Sequence, residues 1–444
     1  MTPARQAGGA APARPGLPLR AVLIAVIALY LIAETALAPF LPQLFDRLYG
    51  VDDPGATGLY LWICRIVGLV ALPLWGLAAR RRPLHQLVVT GLCAAAVVDL
   101  CLGLAPSYAA YTALSAASVA ANASLLLAYP AFIAEHTRKA TEEQSDPEHA
   151  ELAAVRSIVL VIHLAGVAAT LVGAGVLALP DPRLGVSAFA VVDVVLAALI
   201  VRVLRRLPAD RKPDAASAPE APARAAVPLR RRWPLLVQAA LIGVAFDFAL
   251  SVARPFFTEF AEDLGSGSLG GAVLFFLPSL GALATLPLAR RCHDRFGPRL
   301  LPAAALVSAA GFLWQYAADG LPALVAGRLL AGLGLGLTQV AVEMRMFHST
   351  GTAGPAFTAV ETVRSAGLLA APLVSAAVVS HDLALPLTVA AAGLACVAVA
   401  SLTRTPRPAP PPDRAPAPVA ATAPAGLPDR TPVTVPAPAK EYDR

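Results

Sequence analysis

The sequence predicts an all-α membrane protein whose twelve transmembrane helices form two pseudo-symmetric six-helix bundles. Three observations carry this expectation. Mean hydropathy is +0.66 across 444 residues, twelve apolar windows are long enough to cross a bilayer, and landmarks recur in the same order in the two halves of the chain. With 57% hydrophobic and 14% charged residues, one buried core cannot absorb the apolar side chains, so most are expected to face lipid.

The windows cover residues 20–42, 58–79, 84–104, 108–134, 152–179, 184–204, 234–257, 269–289, 300–318, 321–343, 356–380 and 383–403. About 20 residues of helix cross a hydrocarbon core, and a helix satisfies its own backbone hydrogen bonds where lipid cannot. Period-two strand patterning is absent. The first window leads straight into further spans, so it is read as a retained helix and not a cleaved signal. The resulting organisation is a cytoplasmic segment (1–19), a first bundle (20–206), a linker (207–233), a second bundle (234–403) and a disordered Pro/Ala-rich cytoplasmic tail (404–444).

Lys and Arg set the orientation. With the N-terminus inside, "ARRRP" (79–83), Arg138, Lys139 and the arginines of 202–232 all fall on the inner side, while the outer loops carry Asp46, Asp52, Asp53, Glu259, Glu262 and Asp263. Both termini are therefore expected in the cytoplasm and the chain in the inner (cytoplasmic) membrane. The basic balance follows from topology and does not argue for nucleic acid. Five cysteines and seven scattered histidines form no metal or redox motif. A membrane enzyme would need a catalytic cluster at the interface, which these histidines and acids do not supply; the chain is read as neither an enzyme nor a cofactor or metal binder.

The repeat is specific. "APFLPQLFDRLYG" (38–50) closes the first helix and "RPFFTEFAEDLG" (254–265) the seventh, aligning Pro39 with Pro255. "ALPL" (71–74) and "TLPL" (285–288) align Pro73 with Pro287, and "VRS" recurs at 155–157 and 363–365. With a charged loop between helices 8 and 9, "RCHDRFGPR", this pattern resembles the major facilitator superfamily (MFS). The loop keeps Asp294, Arg295, Gly297 and Arg299 of the family's signature, with Arg290 at the leading glycine's place; the first-half copy, "GLAARRRPLHQ", has Arg80 where the acid belongs. "GRLLAGLGLGLTQ" (327–339) resembles the family's arginine-then-glycine pattern, although in helix 10 and not helix 4. The resemblance implies alternating access by rocking of the two bundles. It also implies a cytoplasmic gate in which Asp294 and the loop arginines meet the ends of helices 10 and 11, near Glu343, Glu361 and Arg364, with Arg156 as the other "VRS" arginine.

Intramembrane charges are costly and seldom kept without a partner or a water-lined cavity. Glu34 lies about 21 Å into helix 1. Asp247 lies at similar depth in helix 7, and the repeat maps it to Leu31, one turn from Glu34. Both are proton-coupling candidates, with a purely structural acid as the rival role. Arg65, Arg254 and Arg328 offer forks for a carboxylate or phosphate, or serve as standing partners of those acids. Tyr30, Asn122, Gln238 and Gln339 are further cavity candidates. Asp99 and Asp193 are expected to be structural, for example Asp193 with His163. No nucleotide-binding loop is present. The reading is a proton-coupled secondary transporter of an organic small molecule, an exporter of an anionic metabolite such as a siderophore, with a proton-symport importer as the rival. Its expected partners are the substrate, protons and the lipid bilayer, and the chain is expected to act as a monomer.

Overall fold

The computed structural model describes residues 19–79, 81–82, 84–126, 147–206, 229–350 and 355–403, and all regular structure among them is helical. The expected tail, the first eighteen residues and most of the expected linker lie outside the described residues. Twelve long helices run in chain order: α1 (Leu19–Thr35), α2 (Pro54–Ala79), α3 (Leu84–Leu102), α4 (Tyr108–Leu126), α5 (Pro147–Ala178), α6 (Phe189–Arg206), α7 (Leu229–Val252), α8 (Gly267–Thr285), α9 (Leu300–Tyr316), α10 (Leu321–Thr350), α11 (Pro355–Val379) and α12 (Leu385–Leu402). Nine described stretches are long and apolar enough to cross a membrane. One of them, Gly267–Tyr316, holds both α8 and α9; α3 is apolar but shorter, and the Ala/Ser-rich α4 is the remaining helix. Helix α7 starts at Leu229, inside the expected linker, because Arg230, Arg231 and Arg232 are good helix formers.

The two bundles share one packing plan. Helix α1 packs on α5 and α6 as α7 does on α11 and α12, α3 packs on α4 and α6 as α9 does on α10 and α12, and the seam between bundles pairs α2 with α11 and α5 with α8. The match extends to the connections. Pro39 and Pro255 each follow a helix end and precede a short helix, Leu41–Tyr49 and Phe257–Asp263. Proline has no N–H to donate, which ends a helix at these corners.

Leucines and valines such as Leu74, Leu77, Val97, Leu104, Leu184, Val191 and Val399 are more than half exposed, as a lipid-facing belt requires. The interior is small-residue and aromatic. In the first bundle Phe45 is fully buried and meets Tyr60, Tyr108 and Tyr111 edge-on at 5.1–5.5 Å.

The glycines of α10 show why "GRLLAGLGLGLTQ" reads as it does. Side chains at Gly332 and Gly336 would collide with Pro278 and Ala282 of α8, and side chains at Gly327 and Gly334 with Gln315 and Ser308 of α9. Helix α10 is thus wedged between two neighbours at backbone distance.

Both bundles close on each other at the face where α1 and α7 end, here the loop face. Thr258 donates to the Pro39 carbonyl at 2.6 Å, and Gly58 of α2 sits against Ala376 and the Pro372 carbonyl of α11. Towards the opposite face the seam is held by α5. Leu152, Val155 and Val159 pack with Leu286, Ala289, Val340 and Met344, and His149 faces Asp294 at 3.7 Å.

Candidate functional site

The anticipated charges sort into three groups. The first lies between the bundles. Glu34 on α1, Arg65 on α2 and Arg254 just after α7 are all exposed, yet Glu34 interacts electrostatically with Arg65 and Asp99, and Arg254 with Arg65 and Asp247. Of these interactions, the one between Arg65 and Arg254 crosses from one bundle to the other. Neither arginine makes an ion pair within 4.0 Å among the described residues. Tyr30, one turn before Glu34, interacts with Glu34 and Arg65. His163 of α5 reaches across the seam to Ser279 Oγ of α8 at 3.3 Å and has Gln339 and Arg254 beside it. It does not meet Asp193, the partner expected for it from the sequence. Asn122 is half-buried and donates weakly to Ser118 at 3.5 Å.

The second group is a buried hub around Arg364. Its Nε and Nη2 form a fork onto Asp247, at 2.8 and 3.0 Å. Nη2 also reaches Glu343 at 3.1 Å and Nη1 reaches Glu361 at 2.9 Å, while Nη1 also lies 3.0 Å from Met346 Sδ. All five guanidinium protons have acceptors. The Arg364 side chain is 10% exposed and that of Asp247 16%. Three carboxylates surround one cation, so a formal surplus of two negative charges remains. Helix α7 admits the arginine because Gly243 has no side chain: a Cβ there would lie 2.5 Å from Arg364 Cγ. Gly243 and Met346 carried no signal in the sequence, since neither is polar nor repeated. Arg364, Glu343 and Glu361 were expected to join the loop; in the structure Glu343 and Glu361 pair with Arg364, which reaches Asp247 on α7.

The third group is the loop itself. Asp294 faces His149 at 3.7 Å and Arg290 at 4.0 Å, and Arg295 and Arg299 are exposed. Gly297 has φ +50 and ψ −126, backbone geometry that side-chain-bearing residues rarely adopt. Glu151 and His348 lie 3.6 Å apart nearby. Arg156 is half-buried on α5, its Nε without an acceptor among the described residues.

Two cavity candidates serve elsewhere. Gln238 donates to the carbonyls of Ala400 and Thr403 and to Thr403 Oγ1, tying α7 to α12. Arg328 is 5% exposed and bonds the carbonyls of Leu274 at 2.9 Å and Phe275 at 2.6 Å. Pro278 lacks the N–H that would normally bond Leu274, so Arg328 fills a vacancy that proline creates. The guanidinium also stacks 3.8 Å above the Phe257 ring.

Two matching bundles with charged groups converging on their seam define a polytopic carrier. The sequence matches the family model of the Major Facilitator Superfamily over residues 23–299, more than half of the chain, and the protein belongs to that family: it is a multi-pass membrane transporter of small molecules. Similar solved structures include nucleoside transporter NupG, with TM-score 0.60, 14% identity and coverage of 86% of this chain and 99% of that one. Another is the human organic anion transporter MFSD10 (TETRAN), with TM-score 0.59, 19% identity and coverage of 86% and 98%. At these identities they show a shared fold. No curated protein sequence matches.

Proposed function

We propose that the protein is a proton-coupled secondary transporter of an organic anion, exporting it across the cytoplasmic membrane by alternating access. The observation that carries this reading is the pair Arg65 and Arg254, one from each bundle, each exposed and each without an ion pair among the described residues. Two like charges held together across a movable seam repel, and an anion between them removes that repulsion. Binding would then favour apposition of the bundles. The substrate class named for MFSD10 agrees with this but does not carry it.

Coupling is assigned to the Arg364 hub. Three carboxylates on one guanidinium can give or take a proton without leaving the arginine unpaired. Asp247 also acts on Arg254, so an anion at Arg254 and a proton at the hub can influence each other. Glu34, beside Arg65, is the corresponding acid of the first bundle.

The test uses proteoliposomes with an internal pH dye, a panel of organic acids including siderophores, and an imposed proton gradient. Arg65→Gln and Arg254→Gln should each raise KM about 10- to 100-fold, the loss of one charge-assisted contact of about 1.5–3 kcal/mol. Asp247→Asn should abolish substrate-driven proton flux while substrate binding persists. Proton entry accompanying substrate exit supports export; parallel movement of both would make the protein a symporter. Unaltered KM in both arginine variants would remove the anion reading.

A further inference from the structure

We propose that Asp99 and Asp193 form a second proton-binding site, in the first bundle, where one carboxylic acid donates a hydrogen bond to the other carboxylate. Asp99 lies three residues before the end of α3 and Asp193 five residues into α6. Helices α3 and α6 pack on each other, each aspartate acts on the other, and Ser118 of α4 acts on Asp99. The residues are 9% and 1% exposed. Asp193 Oδ2 is buried and has no hydrogen-bond partner among the described residues.

Among the described residues, the surrounding helices offer no compensating cation. From α1, Glu34 adds negative charge to both acids. From α2, Arg65 faces Glu34. From α4 come the Ser118 hydroxyl and the Tyr111 phenol. From the short helix Pro182–Ser187, Arg183 is engaged with the Ala105 carbonyl at 3.0 Å and the Tyr49 ring. Neither aspartate makes an ion pair among the described residues. Two ionised carboxylates that act on each other, buried and beside a third acid, repel without relief. One shared proton converts that repulsion into a short, charge-assisted hydrogen bond. A polar residue serving only to join helices does so more cheaply as Ser, Thr, Asn or Gln, so a pair of acids points to a proton that comes and goes.

This site is distinct from the Arg364 hub, which belongs to the other bundle. Glu34 links it to the seam: an ionised Glu34 favours the proton on the pair, and a cation or proton arriving at Glu34 weakens that hold. The first bundle would then load and release its own proton as the seam opens and closes.

Infrared difference spectroscopy of the purified full chain in lipid, across a pH series in H2O and D2O, reads the proton directly. The expected result is a protonated-carboxyl band near neutral pH, sensitive to deuterium, that disappears in Asp99→Asn and in Asp193→Asn but remains in Asp247→Asn. Each asparagine can still donate to the remaining carboxylate, so both variants should fold; the double Asp99→Asn/Asp193→Asn variant, uncharged at both positions, gives the same loss should a single one fail. A wild-type band that survives in these variants, or no such band at all, overturns the proposal. A sodium-dependent shift in melting temperature that vanishes in both single variants would show a metal cation in the proton's place and overturn it equally. None of these readouts depends on substrate, so they stand apart from the transport assay.

Discussion

Glu259 lies in the first turn of the short helix Phe257–Asp263, next to Thr258, the residue that bonds across the loop face. Burial first, then the charges of Glu262 and Asp46, push its carboxyl up to about 7. Asp46 comes from the other bundle, and its neighbour Arg47 does not neutralise it, being bonded to the carbonyls of Leu177, Leu179 and Pro180 at the end of α5. An acid held above its ordinary value stabilises the fold most in its protonated form. That contribution is complete below the usual glutamate value of 4.5 and is lost as pH rises through about 7. The melting temperature should therefore fall between pH 5 and pH 8, about the span of that titration, and Glu259→Gln should flatten the fall. An unchanged slope in the variant would assign the pH dependence to other groups. The sequence marked Glu259 as an outer-loop acid; its burial and its neighbour from the other half are tertiary facts.

Helix α8 is interrupted by Pro278, and helix α10 supplies the remedy through Arg328. Removing the arginine leaves the Leu274 carbonyl unbonded inside the membrane, a cost of about 1–3 kcal/mol. Arg328→Met should accordingly destabilise the protein, whereas in a Pro278→Ala background residue 278 regains its N–H and the same change should cost clearly less. A double-mutant cycle on unfolding free energy checks this, and strict additivity would show that Arg328 acts through something other than the proline. Sequence alone showed an arginine heading a glycine pattern and, by resemblance, a place in the cavity. The glycines instead bring α10 so close to α8 that Arg328 ends on backbone oxygens, a consequence of packing that spacing along one helix cannot reveal.

Across the whole molecule, the bundles meet at the loop face by backbone approach at Gly58, where a Cβ would lie 2.6 Å from Ala376 Cβ and 3.0 Å from the Pro372 carbonyl. Gly58→Leu should hold that face apart and slow transport with little change in the fold. Spin-label distances between the ends of α2 and α11 should lengthen, and retention of the wild-type distance with full transport would remove Gly58 from the moving seam. The sequence by itself determined the helices, the duplicated plan and the charges worth watching. Hydropathy reports which segments lipid will accept, and the proline corners mark equivalent turns in both halves. It could not pair those charges. Asp247 and Arg364 are 117 positions apart, Asp99 and Asp193 lie on different helices, and depth along a helix does not say which neighbour a side chain faces. Only the tertiary structure decided those pairings, because the rotation of each helix is set by close packing at residues without charge, such as Gly243 beneath Arg364 and Gly332 against Pro278.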